Sequence, residues 1–234
     1  WLAAAIFAVH PVHVESVAWI SERKNVLSAV FYLAAAIAWF DWAERPARSA
    51  RWRWAGAMVL FAAALLSKSV TASLPVALLV TWWWRTGRLD RRVVAGVLPM
   101  VALAIPMGLL TIWAEQNLIG TRHVDLGLAP ADRLLVAGRA LWFYAGKLAW
   151  PDPLAFIYPR WTIDAGSVVA WLFPAGAAAV IAALWCGRRW LGRGPLAGVL
   201  FFAGTLVPAL GFIDVYPLQY SFVADHFQYL ASLG

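Results

Sequence analysis

The sequence predicts an all-α, polytopic transmembrane helical bundle, and three observations lead there. Of 234 residues, 63% are hydrophobic and only 13% are charged, whereas a soluble domain averages about a quarter charged. Apolar runs approaching the ~20 residues that cross a ~30 Å hydrocarbon core recur along the chain. The tryptophan- and alanine-rich runs lack barrel alternation, so the backbone must satisfy its own hydrogen bonds within helices.

Two arginine-rich connectors, ERPARSARWR (44–53) and RTGRLDRR (85–92), orient the chain, since basic loops stay on the cytoplasmic side. Residues 25–42 form one span. The run between the basic loops crosses twice, and its tip is SKSVTAS (67–73). At 1.5 Å per residue, residues 54–67 rise only about 21 Å, so Lys68 lies at or just below the outer surface. Residues 93–113 cross outward into the polar connector 115–133. The basic loop CGRRWLGRG (186–194) sends 167–185 inward and 196–213 outward. Parity leaves no full crossing for 134–150, which carries Arg139 and Lys147. That segment reads as an interfacial or re-entrant helix.

The net charge of +7 follows from these loops and requires no nucleic-acid partner. Tryptophans 39, 42, 52, 54 and 82–84 gather at run ends, as interfacial anchors do. Cys186 is the only cysteine, which excludes a disulfide within the chain. The chain opens in mid-run at Trp1 and closes at YLASLG. The expectation is therefore a piece of a single multi-span domain over residues 1–234, incomplete at both ends. By this topology the ionisable connectors HPVHVESVAWISERK (10–24), the Lys68 tip, 115–160 and 214–229 share the extracytoplasmic face, where any chemistry is expected.

HPVHVESVAWISERKNVLS, LLSKSVTASLPVALLV, AGKLAWPDPLAFIYPRW and VADHFQYLASLG occur in this order. In order and spacing they resemble the membrane domain of the transmembrane-and-tetratricopeptide-repeat proteins. Those belong to the C-type glycosyltransferase superfamily, which includes protein O-mannosyltransferases. The resemblance covers nearly the whole chain. It implies a C-type glycosyltransferase fold and a polyprenyl-phosphate-linked donor of mannose or another hexose. It also implies inverting transfer to a protein or glycan hydroxyl on the extracytoplasmic side of a membrane, with the bacterial inner membrane as the setting. Tetratricopeptide repeats would follow downstream. Two departures stand out. The family carries Asp-Arg where this chain has Asp225-His226, and its acidic pair, with the general base, would lie upstream of Trp1. The catalytic residue is therefore left unassigned.

Such transfer needs cations for the departing phosphate, and Arg23, Lys24, Lys68 and His226 are the donor-binding candidates. Snorkelling at a helix start accounts equally for Arg23 and Lys24. His10, His13, Glu15, Glu22, Tyr158, Asp225 and Tyr229 are the substrate-binding candidates. Glu15 and Glu22 lie seven residues apart and would share a helical face; ion pairing of Glu22 with its basic neighbours is the competing reading. HPVHVE invites a metal, but Pro11 breaks the helix and no third ligand is near. No metal ligand is assigned, although a divalent ion is left open. Asp225 and Tyr229 stand four apart and would share a face. Arg139, Lys147 and Arg160 flank the extended loop WPDPLAFIYP, set by its prolines; Tyr158 and Trp161 could stack on a sugar ring or serve as interfacial anchors. Arg122, His123 and Asp125 are explained by a long polar loop. The competing functions are a non-catalytic membrane anchor for a repeat domain and a lipid-linked-substrate carrier.

Overall fold

A computed structural model describes residues 1–45, 50–117 and 126–234. Among these residues the regular structure is entirely helical, with no strand: α1 (Leu2–Val9), α2 (Val14–Ala18), α3 (Arg23–Glu44), α4 (Ala50–Ser67), α5 (Leu74–Thr86), α6 (Arg91–Asn117), α7 (Pro130–Ala149), α8 (Val168–Gly187) and α9 (Gly194–Leu206). Short 3₁₀ turns connect them. Three helical stretches, Ile20–Glu44, Arg91–Glu115 and Val168–Gly187, are long and apolar enough to cross a membrane. Arg122, His123 and Asp125 fall outside the described residues. The chain divides into two compact units, Val17–Thr111 and Trp1–Ser16 with Ile112–Gly234.

In the Val17–Thr111 unit, α3 and α4 form the most extensive pair. Alanines 35, 57 and 64 are wholly buried, and small side chains of this kind let helix backbones approach closely. Trp39, Tyr32 and Phe61 fill the remaining core, and Trp39 meets Trp82 edge-to-face at 6.0 Å. At 1.5 Å per residue the 22 residues of α3 separate two chemically distinct ends by about 33 Å. At one end Asp41 pairs with Arg45 and Arg53, Glu44 pairs with Arg85, and Arg92 donates to the Trp42 carbonyl at 3.0 Å. At the other end Lys68 reaches Glu22 and Asn25. The 54–84 run therefore folds back on itself as the sequence implies. Its tip is the turn Ser69–Ser73, and Gly87, with φ +78°, closes α5.

In the other unit, α7 starts on Pro130, and its Asp132 carboxylate accepts from the Ala129 N–H at 3.0 Å. The buried face of α7 contributes Ala137, Ala140 and Tyr144 to a core with Tyr158, Leu206, Leu210, Val223 and Ala231. Arg133 holds Asp214 with both guanidinium nitrogens, at 2.8 and 2.9 Å, and also donates to the Gly211 carbonyl. α7 pairs closely with α8, where Trp142 Nε1 donates to the Phe173 carbonyl at 2.9 Å.

Two expectations require correction. The run 196–213 is not one spanning helix: α9 ends at Leu206 after 13 residues, and Pro208 and Gly211, with φ +85°, turn the chain. Proline supplies no N–H and glycine accepts the left-handed region, so the apolar run outlasts its helix. The face shared by Glu15 and Glu22 is also absent, because α2 stops at Ala18 and Trp19 is extended.

A Cβ on Gly138 would stand 2.5 Å from the Pro174 backbone nitrogen, whereas one on Gly56 meets nothing within 4 Å. Gly138→Ala is expected to destabilise by about 1–3 kcal/mol through overpacking, and Gly56→Ala to stabilise by about 0.5–1 kcal/mol. Thermal unfolding midpoints in detergent should move in opposite directions.

Candidate functional site

In the Val17–Thr111 unit the connector 19–22 delivers Glu22 to the first turn of α3, where its carboxylate is 5% exposed. One oxygen takes Lys24 Nζ at 3.0 Å and the other takes Lys68 Nζ at 3.2 Å. Lys68 also donates to the Asn25 side-chain oxygen. Lys68 occupies this position because α4 ends one residue earlier, and its carbonyl then accepts from the Thr71 hydroxyl at 2.8 Å. Arg23, one residue from Glu22, is exposed. Two lysines thus engage one carboxylate, with Arg23 next to it in sequence, and these four side chains sum to a formal charge of +2. Arginine presents a planar fork and lysine a point charge, which together suit a phosphate oxygen set.

The other unit gathers a second set. Asp225 is 5% exposed, and both its carboxylate oxygens stand 3.0 Å from the Tyr158 hydroxyl, which donates to them. Burial pushes the Asp225 carboxyl up to about 6; the Tyr158 hydrogen bond opposes that rise, nearby Glu15 adds to it, and Lys147 and His226 oppose it. Burial likewise pushes the Tyr158 phenol up to about 12. Lys147, itself buried, donates to the Pro153 carbonyl and lies 5.5 Å from the Tyr158 ring centre. The Glu15 carboxylate stands 3.0 Å from His226 Nδ1 and accepts from the His226 backbone N–H at 3.1 Å. Tyr144, also fully buried, accepts from the Ala224 N–H at 3.2 Å.

The histidines of HPVHVE have both ring nitrogens engaged. His10 Nε2 donates to the Leu148 carbonyl at 3.1 Å, and its Nδ1 accepts from the Val12 N–H at 3.3 Å. His13 Nδ1 donates to the Phe7 carbonyl at 2.6 Å, and its Nε2 lies 2.8 Å from the Ser232 hydroxyl. Burial lowers the pKa of His13, and the Ser232 hydroxyl that meets Nε2 itself donates to the Tyr229 carbonyl at 2.9 Å. These contacts engage both nitrogens of each ring, the atoms through which a metal would bind. Among the described residues no three of His, Cys, Asp and Glu converge as a metal ligand set.

The candidates therefore separate. Arg23, Lys24, Lys68 and Glu22 belong to one unit, and His10, His13, Glu15, Tyr158, Asp225, His226 and Tyr229 to the other. Asp225 and Tyr229 do not share a face. A 3₁₀ turn at Asp225–Gln228 directs Asp225 to Tyr158, while the Tyr229 ring packs on Phe7 and His13 at 5.2 and 5.1 Å. Sequence reasoning missed Asn25, Tyr144 and Ser232. Asn25 alone left a signal, three residues after Glu22 at a helix start; the others owe their roles to long-range contacts.

The folded Asp225 carboxyl binds its proton more tightly than an ordinary carboxyl of 3.8. Folding therefore takes up a proton between about pH 4 and 6, and stability falls as pH rises through that window. Asp225→Asn is expected to flatten this slope in denaturation series from pH 4 to 7, most visibly by raising stability near neutrality. Comparison of the chain with protein-family models, with curated proteins and with solved structures finds no match, so the chemistry rests on the geometry of these side chains.

Proposed function

We propose that this chain is part of a C-type membrane glycosyltransferase. It would move a hexose such as mannose from a polyprenyl phosphate to a protein or glycan hydroxyl on the extracytoplasmic side of the bacterial inner membrane. The observation that carries this reading is the cluster at the start of α3, where Lys24 and Lys68 engage separate oxygens of Glu22 and the exposed Arg23 follows it in sequence. In the proposed reaction the acceptor oxygen attacks the anomeric carbon and the bond from that carbon to the phosphate oxygen breaks. The phosphate leaves with the electron pair and the hydroxyl proton passes to a base. Charge then grows on the phosphate, and fixed cations aimed at growing charge lower the barrier. Lys68 is held ready by Glu22 and Asn25, so little side-chain reorganisation accompanies the step. In the other unit, Tyr158, Asp225 and the Glu15–His226 pair are proposed as polar contacts for hydroxyl-bearing substrate.

The anchor reading also has an observation in its favour, because the Glu22–Lys68 pair alone suffices to lock the α4–α5 turn onto α3. Removing the exposed cations separates the two. In the full-length protein in proteoliposomes with a polyprenyl-phosphate hexose, Arg23→Ala is expected to lower sugar transfer about a hundredfold with an unchanged unfolding midpoint. Normal transfer by the R23A/K24A double variant would sink the donor-site assignment and leave the anchor. Single cysteines placed at 23 and 68 are expected to be labelled from the same side of the membrane, and one at 88 from the opposite side.

A further inference from the structure

The arginine-bearing end of the Val17–Thr111 unit holds a groove of about 370 Å³ lined by Trp42, Arg51, Trp54, Arg92, Ala95 and Gly96. That volume lies within the ~300–1,000 Å³ range of small-ligand sites. We propose that this groove binds the phosphate of an anionic glycerophospholipid in the adjoining leaflet.

Charge is the first argument. The carboxylates at this end are engaged elsewhere: Asp41 by Arg45 and Arg53, Glu44 by Arg85, and Asp90 by Arg88. Among the described residues none of them pairs with Arg51 or Arg92, so the groove keeps two positive charges. Arg92 is fixed for use. One guanidinium nitrogen donates to the Trp42 carbonyl at 3.0 Å, and the plane lies 4.8 Å over the Trp42 ring. The rest of its five-donor fork has no protein acceptor among the described residues. Arg51 and Arg92 each lie in the first turn of a helix, α4 and α6, whose dipoles add to the same sign.

Shape is the second argument. Trp54 Nε1 donates to the Gly96 carbonyl at 2.9 Å, which ties α4 to α6. A Cβ at Gly96 would stand 2.3 Å from the Trp42 ring, so the groove floor depends on glycine. Two indoles beside two guanidinium groups match the headgroup level of a bilayer.

The third argument separates a lipid from a free phosphate. From the groove residue Ala95, an exposed apolar stripe continues along α6 through Leu98, Ala102, Ile105 and Leu109. The spacing alternates three and four residues, so one helix face carries it. An acyl chain attached to a phosphate in the groove has that stripe to follow, whereas a soluble phosphate has no use for it.

The test is native mass spectrometry of the full-length protein released from nanodiscs of phosphatidylcholine with or without phosphatidylglycerol. The wild type is expected to retain phosphatidylglycerol in preference to phosphatidylcholine. Arg51 is exposed and, among the described residues, its guanidinium lies over the Trp52 ring at 5.6 Å, so Arg51→Gln leaves the fold intact. It is expected to lower that retention about fivefold, and R51Q/R92Q about twenty-fivefold. Leu98→Asn should weaken phosphatidylglycerol retention without affecting any binding of glycerol 3-phosphate. Equal retention of the two lipids by the wild type, or undiminished preference in R51Q, would overturn the proposal. Displacement of the lipid by millimolar glycerol 3-phosphate or inorganic phosphate would reassign the groove to a soluble phosphate. None of these readouts depends on sugar transfer.

Discussion

Glu22 is the constraint on which one end of the Val17–Thr111 unit depends. A nearly buried carboxylate is tolerated only when cations and hydrogen-bond donors replace its water, and here a different lysine engages each oxygen. Lys24 comes from the same helix turn, while Lys68 comes from the far side of the α4–α5 turn. The pairing therefore fixes which way that turn leans and which end of α3 it meets. It also sets the local charge, because one anion cannot neutralise three neighbouring cations.

The same logic recurs in the other unit with different partners. Arg133 is answered by the two oxygens of Asp214, Lys147 by a carbonyl and aromatic faces, and Glu15 by the ring and backbone of His226. Asp225 is the exception in kind. Its nearest donor is a phenol, which offsets only part of the rise in proton affinity that burial causes. Ionisable groups beside apolar helices are costly, and in this unit Arg133, Lys147, Glu15 and Asp225 each meet a defined chemical complement.

Much of the helical architecture was legible because hydrophobicity and length specify helices directly. The run 25–42 became Arg23–Glu44, 93–113 became Arg91–Asn117, and 167–185 became Val168–Gly187. The fold-back at SKSVTAS followed from charge placement at 44–53 and 85–92 alone. The stretch after Leu206 was less legible, because apolar composition says nothing about where Pro208 and Gly211 end a helix. Pairings within the candidate sites were least legible of all. Glu22 with Lys24 is local and could be read, but Tyr158 with Asp225 spans 67 residues and Glu15 with His226 spans 211. No periodicity encodes contacts of that range, and helical spacing misdirected the reading where the chain adopts 3₁₀ turns.

The brevity of α5 has a consequence for the solvent around it. Thirteen residues rise about 20 Å, some 10 Å less than an average hydrocarbon core. A helix so short leaves part of a full hydrocarbon core unspanned, so what solvates its two ends differs from what can surround Ile20–Glu44 or Arg91–Glu115, stretches long and apolar enough to cross.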